Sequence, residues 1–133
     1  MFSNNKHDEA IKPLSTNSKQ IISTSFSIDG KLACGSIDGM LNMIDMNTQT
    51  IIDKMNIHNL SIRSISFSDD GNILYTASDD RHVTIYDMKS ASIITSFSHS
   101  GMCLSVDSST NGRHFIVGCA DNTVSLWDLG KLL

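Results

Sequence analysis

Residues 62–87 read Ile-Arg-Ser-Ile-Ser-Phe-Ser-Asp-Asp-Gly-Asn-Ile-Leu-Tyr-Thr-Ala-Ser-Asp-Asp-Arg-His-Val-Thr-Ile-Tyr-Asp. Ile65 and Phe67 alternate with Ser64, Ser66 and Ser68, the period-2 texture of a strand with one face in a core. Ser68-Asp69-Asp70-Gly71 is a tight turn, with Gly71 free to take positive φ. The spacing predicts strands over Ile62–Phe67, Ile73–Ser78 and His82–Asp87, a second turn over Asp79–Arg81, and a fourth strand over Ser92–Phe97. No stretch keeps a 3.6-residue period long enough for a helix.

The same unit recurs on both sides. Gly30, Gly71 and Gly112 stand 41 residues apart. Asp38, Asp80 and Asp121 each lie seven residues before the terminal Asp of Ile44-Asp45-Met46, Tyr86-Asp87-Met88 and Trp127-Asp128-Leu129. A period of about 40 to 45 with a terminal Trp-Asp pair is the sequence form of a four-stranded propeller blade. The first unit reads Ile22–Phe26, Leu32–Ser36, Met40–Asp45 and Thr50–Met55, and it is one residue short between Gly30 and Asp38, where a bulge or a tighter strand entry is expected. The third reads Cys103–Val106, His114–Cys119 and Thr123–Asp128.

The expected fold is therefore all-β, a partial β-propeller of about three four-stranded antiparallel blades, the third lacking its outer strand. Residues 1–19 read as a polar tail holding the only proline, Pro13, with Ala10–Leu14 able to add one short strand to a neighbouring blade. Residues 20–133 divide into repeats over about 20–56, 57–98 and 99–133. Propellers close with about four to eight blades, so three blades form an open array. The edge at Thr123–Asp128 and the outer face of the first blade invite self-association.

Fourteen acidic against ten basic residues give a net charge of −4, with no clustered Lys and Arg, so direct nucleic-acid binding is not expected. Apolar runs are too short for a membrane span, and no basic stretch leads into an apolar core at the N-terminus. The chain reads as intracellular. Cys34, Cys103 and Cys119 are odd in number and lack C-x-x-C spacing, which favours buried free thiols over a disulfide or metal site. His7, Asp8 and Glu9 read as a solvated cluster rather than metal ligands. No phosphate loop or nucleophile elbow occurs, and no cofactor is expected.

His58, Thr76, Asp80 and Tyr86 form the constellation to test, which in order and spacing resembles the structural hydrogen-bond tetrad of WD-repeat blades. A carboxylate that fixes an imidazole, which in turn meets a hydroxyl and an aromatic donor, satisfies buried polar groups and pins the loops between strands. His, hydroxyl and Asp also compose a nominal hydrolase triad, but Thr76 falls inside a strand with no helix N-terminus beside it. The structural reading is preferred. In the third unit His99, Asp121 and Trp127 match while Val117 replaces the hydroxyl; in the first, Asp38 stands with Cys34 and Ile44 and has no His. Asp69-Asp70 and Asp79-Asp80 are ordinary turn chemistry. Arg81 and His82 on a turn, and Arg63 on an inner strand, are the side chains placed for contact with a partner.

These residues resemble the WD-repeat propeller family over about Gln20–Leu129. Within it, Ile37-Asp38-Gly39-Met40-Leu41-Asn42, Ile62-Arg63-Ser64 with Phe67-Ser68, and Thr76-Ala77-Ser78-Asp79-Asp80 with Ile85-Tyr86-Asp87 look like the middle blades of a particular subunit type. That type is the WD-repeat subunit shared by the exosome-assisting superkiller complex and the polymerase-associated factor complex. The resemblance implies a seven-bladed, non-catalytic adaptor in mRNA decay and transcription elongation. It implies binding of protein subunits through short peptide segments, in both nucleus and cytoplasm. Three departures from that pattern are Ile57 and Ser98 before the blade histidines, where glycine is usual, and Ser108 where Phe26 and Phe67 stand in the other units. Two other readings remain open: blades of an unrelated WD-repeat scaffold, such as a ubiquitin-ligase substrate receptor or signalling adaptor, and an enzyme built on a propeller.

Overall fold

The computed structural model describes residues 13–16 and 18–132. Three antiparallel sheets follow one another along the chain. The first runs in the order β1 (Ile21–Phe26), β2 (Lys31–Ser36), β3 (Met40–Asp45), β4 (Thr50–Asn56). The second runs β5 (Ile62–Phe67), β6 (Ile73–Ser78), β7 (His82–Asp87), β8 (Ser92–Ser98). The third contains β9 (Cys103–Ser108), β10 (His114–Cys119) and β11 (Val124–Asp128), with β10 in the middle, followed by a one-turn helix α1 (Leu129–Leu132). This is the expected propeller segment, with a third blade of three strands among the described residues. Pro13 and Leu14 are not in a strand; Ala10, and the candidate ligands His7, Asp8 and Glu9, lie outside the described residues.

Packing between sheets follows from alternation. Leu74 and Tyr86 of the second sheet turn toward Ala33, Leu41 and Met43 of the first. Tyr75, Ala77, Val83 and Ile85 turn the other way, against Cys103, Val106, Phe115 and Val117 of the third. β6 and β7 are thus buried on both faces, and their apolar residues run almost without a break. The inner strands β1, β5 and β9 are sheet edges, and serines lace them together. Ser23 Oγ donates to Ile62 O at 2.7 Å, Val106 N–H to Ser64 Oγ at 3.2 Å, and Ser108 Oγ to Phe67 O at 3.0 Å. Ser108, the departure from Phe26 and Phe67, thus satisfies an edge carbonyl of the neighbouring blade.

One turn chemistry is used three times. In Ser27–Gly30, Ser68–Gly71 and Ser109–Gly112 the serine hydroxyl bonds the side chain two residues on and accepts the N–H that starts the next strand. The missing residue of the first unit is here. Lys31 enters β2 directly after Gly30, whereas Asn72 and Arg113 intervene before β6 and β10. Of the two expectations, the tighter strand entry holds and a bulge in β2 does not. Met46 N–H bonds the Gly30 carbonyl where Met88 bonds that of Asn72.

Gly39 sits where the β2–β3 turn plugs into the loop leading to β5. Its carbonyl accepts the amides of Ile57 and His58 at 3.2 and 3.3 Å, its φ is 87°, and a Cβ there would overlap the His58 carbonyl. Gly30 has a similar φ of 85° but open space around it. Gly30→Ala should therefore cost about 1 kcal/mol of backbone strain, and Gly39→Ala clearly more. Equal shifts in urea midpoint would show that the loop yields without cost.

Candidate functional site

The chemically suggestive residues gather at one end of the blades. His58 follows β4, Thr76 sits in β6 and Asp80 in the β6–β7 turn. His58 Nδ1 lies 2.9 Å from Asp80 Oδ2 and Nε2 lies 2.8 Å from Thr76 Oγ1. A neutral imidazole with its proton on Nδ1 satisfies both: it donates to the carboxylate and accepts from the hydroxyl. Burial lowers the His58 pKa, outweighing the opposing pull of Asp80, so the ring is neutral near pH 7. Burial pushes the Asp80 carboxyl up, but His58 and the amides of Asn59 and His82 prevail and hold it low. Thr76 is fully buried and its proton is spent on the imidazole, so this hydroxyl is not poised to attack anything. Ile57, His58, Asn59, Asp80, His82 and Ser96 line a cavity of about 180 Å³ above the network.

Tyr86 departs from the expected network. Its hydroxyl donates to Asp53 Oδ2 on β4 of the preceding sheet, at 3.3 Å, and not to Thr76 or His58. A phenol carries its donor at the tip of the ring, farther from the backbone than an indole N–H, and here the tip reaches across the blade interface. Burial, then the Asp53 carboxylate, push its pKa up to about 12, which keeps it a donor.

The third blade splits the network in two. Trp127 Nε1 donates directly to His99 Nε2 at 3.1 Å, the hydroxyl being replaced by Val117. Asp121 is taken by Ser100 and Thr123 instead, and His99 Nδ1 is buried without a hydrogen-bond partner. Aromatic packing compensates, with Trp127 stacked between Phe97 of the second blade at 4.9 Å and Phe115 at 6.1 Å. In the first blade Asp38 is exposed and bonded to Ser36 alone among side chains.

The three residues placed for partner contact are all at this end. Arg63 is clamped by Asp79 through two bonds, Nε at 2.9 Å and Nη2 at 2.7 Å. Arg81 is exposed with φ of 70°, and its carbonyl accepts the His99 amide at 2.8 Å. His82 is half exposed, its Nδ1 held by the Asp80 carbonyl at 2.9 Å.

One feature escaped sequence reading. The β1–β2 register shifts between Ile21 and Ser23, β5–β6 between Ile62 and Ser64, and the β9–β10 ladder skips Leu104. Each inner strand thus carries a bulge at Ile22, Arg63 or Leu104, positions 41 residues apart, and bulges re-aim side chains out of the ladder. Ile22 and Leu104 are 38% and 44% exposed, and the Arg63 side chain 48%. The signal was the spacing alone.

The family described as Vps42 beta-propeller matches residues 11–130. A WD repeat-containing protein of Schistosoma mansoni, SL1-17, is 32% identical over 77 residues, covering 57% of this chain and 25% of its own length. The chain belongs to the WD-repeat β-propeller family. The LEC14B protein of Lithospermum erythrorhizon is 28% identical across 84% of the chain, and human eukaryotic translation initiation factor 3 subunit I is 32% identical across 53%. The chain spans about a quarter of the length of these curated relatives. Among solved structures, the Cps50 (Swd1) β-propeller domain of Myceliophteria thermophila superposes with a TM-score of 0.79 at 21% identity, over 85% of this chain and 37% of that one. Among the described residues of this WD-repeat chain, no helix is long and apolar enough to cross a membrane, and no cluster of His, Cys, Asp and Glu is arranged to hold a metal.

Two outcomes follow from the network. Asp80→Ala orphans a buried imidazole and the amides of Asn59 and His82, and should cost about 1 to 3 kcal/mol. Asp38→Ala, at an exposed turn, should cost well under half of that, and equal melting shifts would contradict this. Acid should also destabilise the fold. His58 and His99 have lowered pKa values in the folded chain, mainly through burial. The unfolded chain therefore binds more protons once the pH falls through about 6.5. Urea titrations should show stability declining from pH 7.5 to 5.5, and a rise would reverse the assignment of a neutral His58.

Proposed function

We propose that this WD-repeat segment is a non-catalytic adaptor that binds short peptide segments of partner subunits at its loop end. The observation that carries the reading is the recurrent bulge, which presents Ile22, Arg63 and Leu104 as an apolar, basic, apolar row on three successive inner strands. Asp79 holds Arg63 rigidly through Nε and Nη2, so the remaining guanidinium edge is preorganised to receive a carbonyl or carboxylate of a partner, with apolar side chains on either side. The buried, hydrogen-bonded state of Thr76 speaks against a hydrolytic role.

The pathway within this proposal comes from the resemblance of the middle blade to the shared superkiller and polymerase-associated factor subunit: mRNA decay with the exosome and transcription elongation, in nucleus and cytoplasm. Relatives named as a translation-factor subunit and Swd1 support a scaffold in general terms. Self-association across the outer edge of β11, where Val124 and Leu126 are exposed, completes the proposed partner set.

Immobilised chain should retain superkiller or elongation-complex subunits. Arg63→Glu together with Leu104→Asp should weaken that retention at least about tenfold, roughly 1.4 kcal/mol, while the circular dichroism stays that of the parent. Capture of ubiquitin-ligase adaptors instead would support the unrelated-scaffold reading, and undiminished binding by the double variant would remove the row from the contact surface.

A further inference from the structure

Cys103 opens β9 and Cys119 closes β10, and the two are cross-strand partners in the third blade. Ala120 N–H donates to Met102 O at 2.8 Å, so the adjoining pair is the hydrogen-bonded one. Cys103 and Cys119 then occupy the non-hydrogen-bonded register, where opposed Cα atoms approach to about 4.5 Å. That is within the roughly 4.4 to 6.8 Å that a disulfide spans. Cys103 Sγ approaches the Gly101 carbonyl at 3.8 Å, and the Cys119 thiol is near enough to help raise the Cys103 pKa. Cys103 is fully buried in the core between the second and third blades, while Cys119 is half-buried at its edge. Cys34 is buried on β2 of the first blade, two sheets away.

We infer that Cys103 and Cys119 are a covalent modification site, a dithiol that closes to an intrachain disulfide when the folded protein meets a hydroperoxide. Accessibility sets the order. Burial, then the neighbouring Cys119, push the Cys103 thiol up to about 12, so it is a poor first nucleophile and Cys119 reacts first. The Cys119 sulfur attacks the terminal peroxide oxygen, the O–O bond breaks, an alcohol or water leaves, and Cys119 becomes a sulfenic acid. The Cys103 sulfur then attacks that of Cys119; the S–O bond breaks, the S–S bond forms, and the departing hydroxyl takes the Cys103 proton as water. The two electrons that reduce the peroxide come from the sulfur pair. The bridge joins β9 to β10 at the loop end, beside exposed Met102 and the bulged Leu104, and so restrains the strand that presents Leu104. The chemistry stands whether or not that strand contacts a partner.

Trypsin separates the two cysteines at Arg113, leaving Cys103 in residues 90–113 and Cys119 in residues 114–131. The folded chain is treated with hydrogen peroxide, then unfolded in denaturant and alkylated so that the buried thiols react, digested and weighed by mass spectrometry. A linked pair of these peptides, two hydrogens lighter than their sum, should appear, with alkylatable thiols falling from three to one. Cys119→Ser, with its circular dichroism intact, should give no linked peptide and keep Cys34 and Cys103 alkylatable. Three alkylated thiols after oxidation, a sulfinic Cys119 beside a free Cys103, or bridges to Cys34 or between chains would overturn the inference. So would an equal yield of the same linked peptide in denaturant, since the blade register would then contribute nothing.

Discussion

Everything in this molecule depends on burying both faces of the middle sheet. β6 and β7 place Leu74 and Tyr86 against the first blade and Tyr75, Ala77, Val83 and Ile85 against the third. A sheet apolar on both sides is not viable in water until neighbours cover it, so the blades stabilise one another rather than stand as independent units. Close approach is the geometric condition for that cover. A Cβ at Gly35 of β2 would lie 2.7 Å from Ile62 of the next blade, so glycine there lets the two sheets meet.

Polar groups are arranged to make this burial tolerable. The inner strands are sheet edges with unpaired backbone groups, and serine hydroxyls carry hydrogen bonds from one blade to the next. Farther out, the His58–Thr76–Asp80 relay satisfies the groups where a loop crosses the blade top. The third blade, with Val117 in place of the hydroxyl, satisfies one imidazole nitrogen by a direct indole bond, leaves His99 Nδ1 unpaired, and relies on Trp127 stacking. Anchoring of the blade histidines by different partners at equivalent places marks these constellations as architectural. The bulged positions are different: they interrupt the ladder and direct Ile22, Arg63 and Leu104 outward, which is where recognition can occur.

Legibility divided along the same line. The relay was readable because Asp80 recurs in phase with Asp38 and Asp121, and His58 and Thr76 stand at the places that the resemblance to WD-repeat blades assigns to a His and a hydroxyl. Tyr86 was assigned to it by analogy of position, and only the sheet-to-sheet geometry showed its hydroxyl reaching Asp53. Arg63 could be singled out as a cation on an inner strand. Its clamp by Asp79 and its kinship with Ile22 and Leu104 could not, because a bulge is a property of paired strands. The opposition of Cys103 and Cys119 escaped for the same reason: register across β9 and β10 is decided by the ladder, and residues sixteen apart carry no spacing signal of it.

By itself, the sequence determined the blade repeat, the strands with their turns, and the His58–Thr76–Asp80 relay of the second blade. All of these are local or periodic, and the chemistry of Gly, Asp, Ser and alternating apolar residues imposes them within one unit. Tertiary structure alone decided which sheet faces meet, where the edge serines and Tyr86 find partners, and which side chains the bulges turn outward. Those depend on distances between strands far apart in the chain, which only the packing of one blade on the next sets.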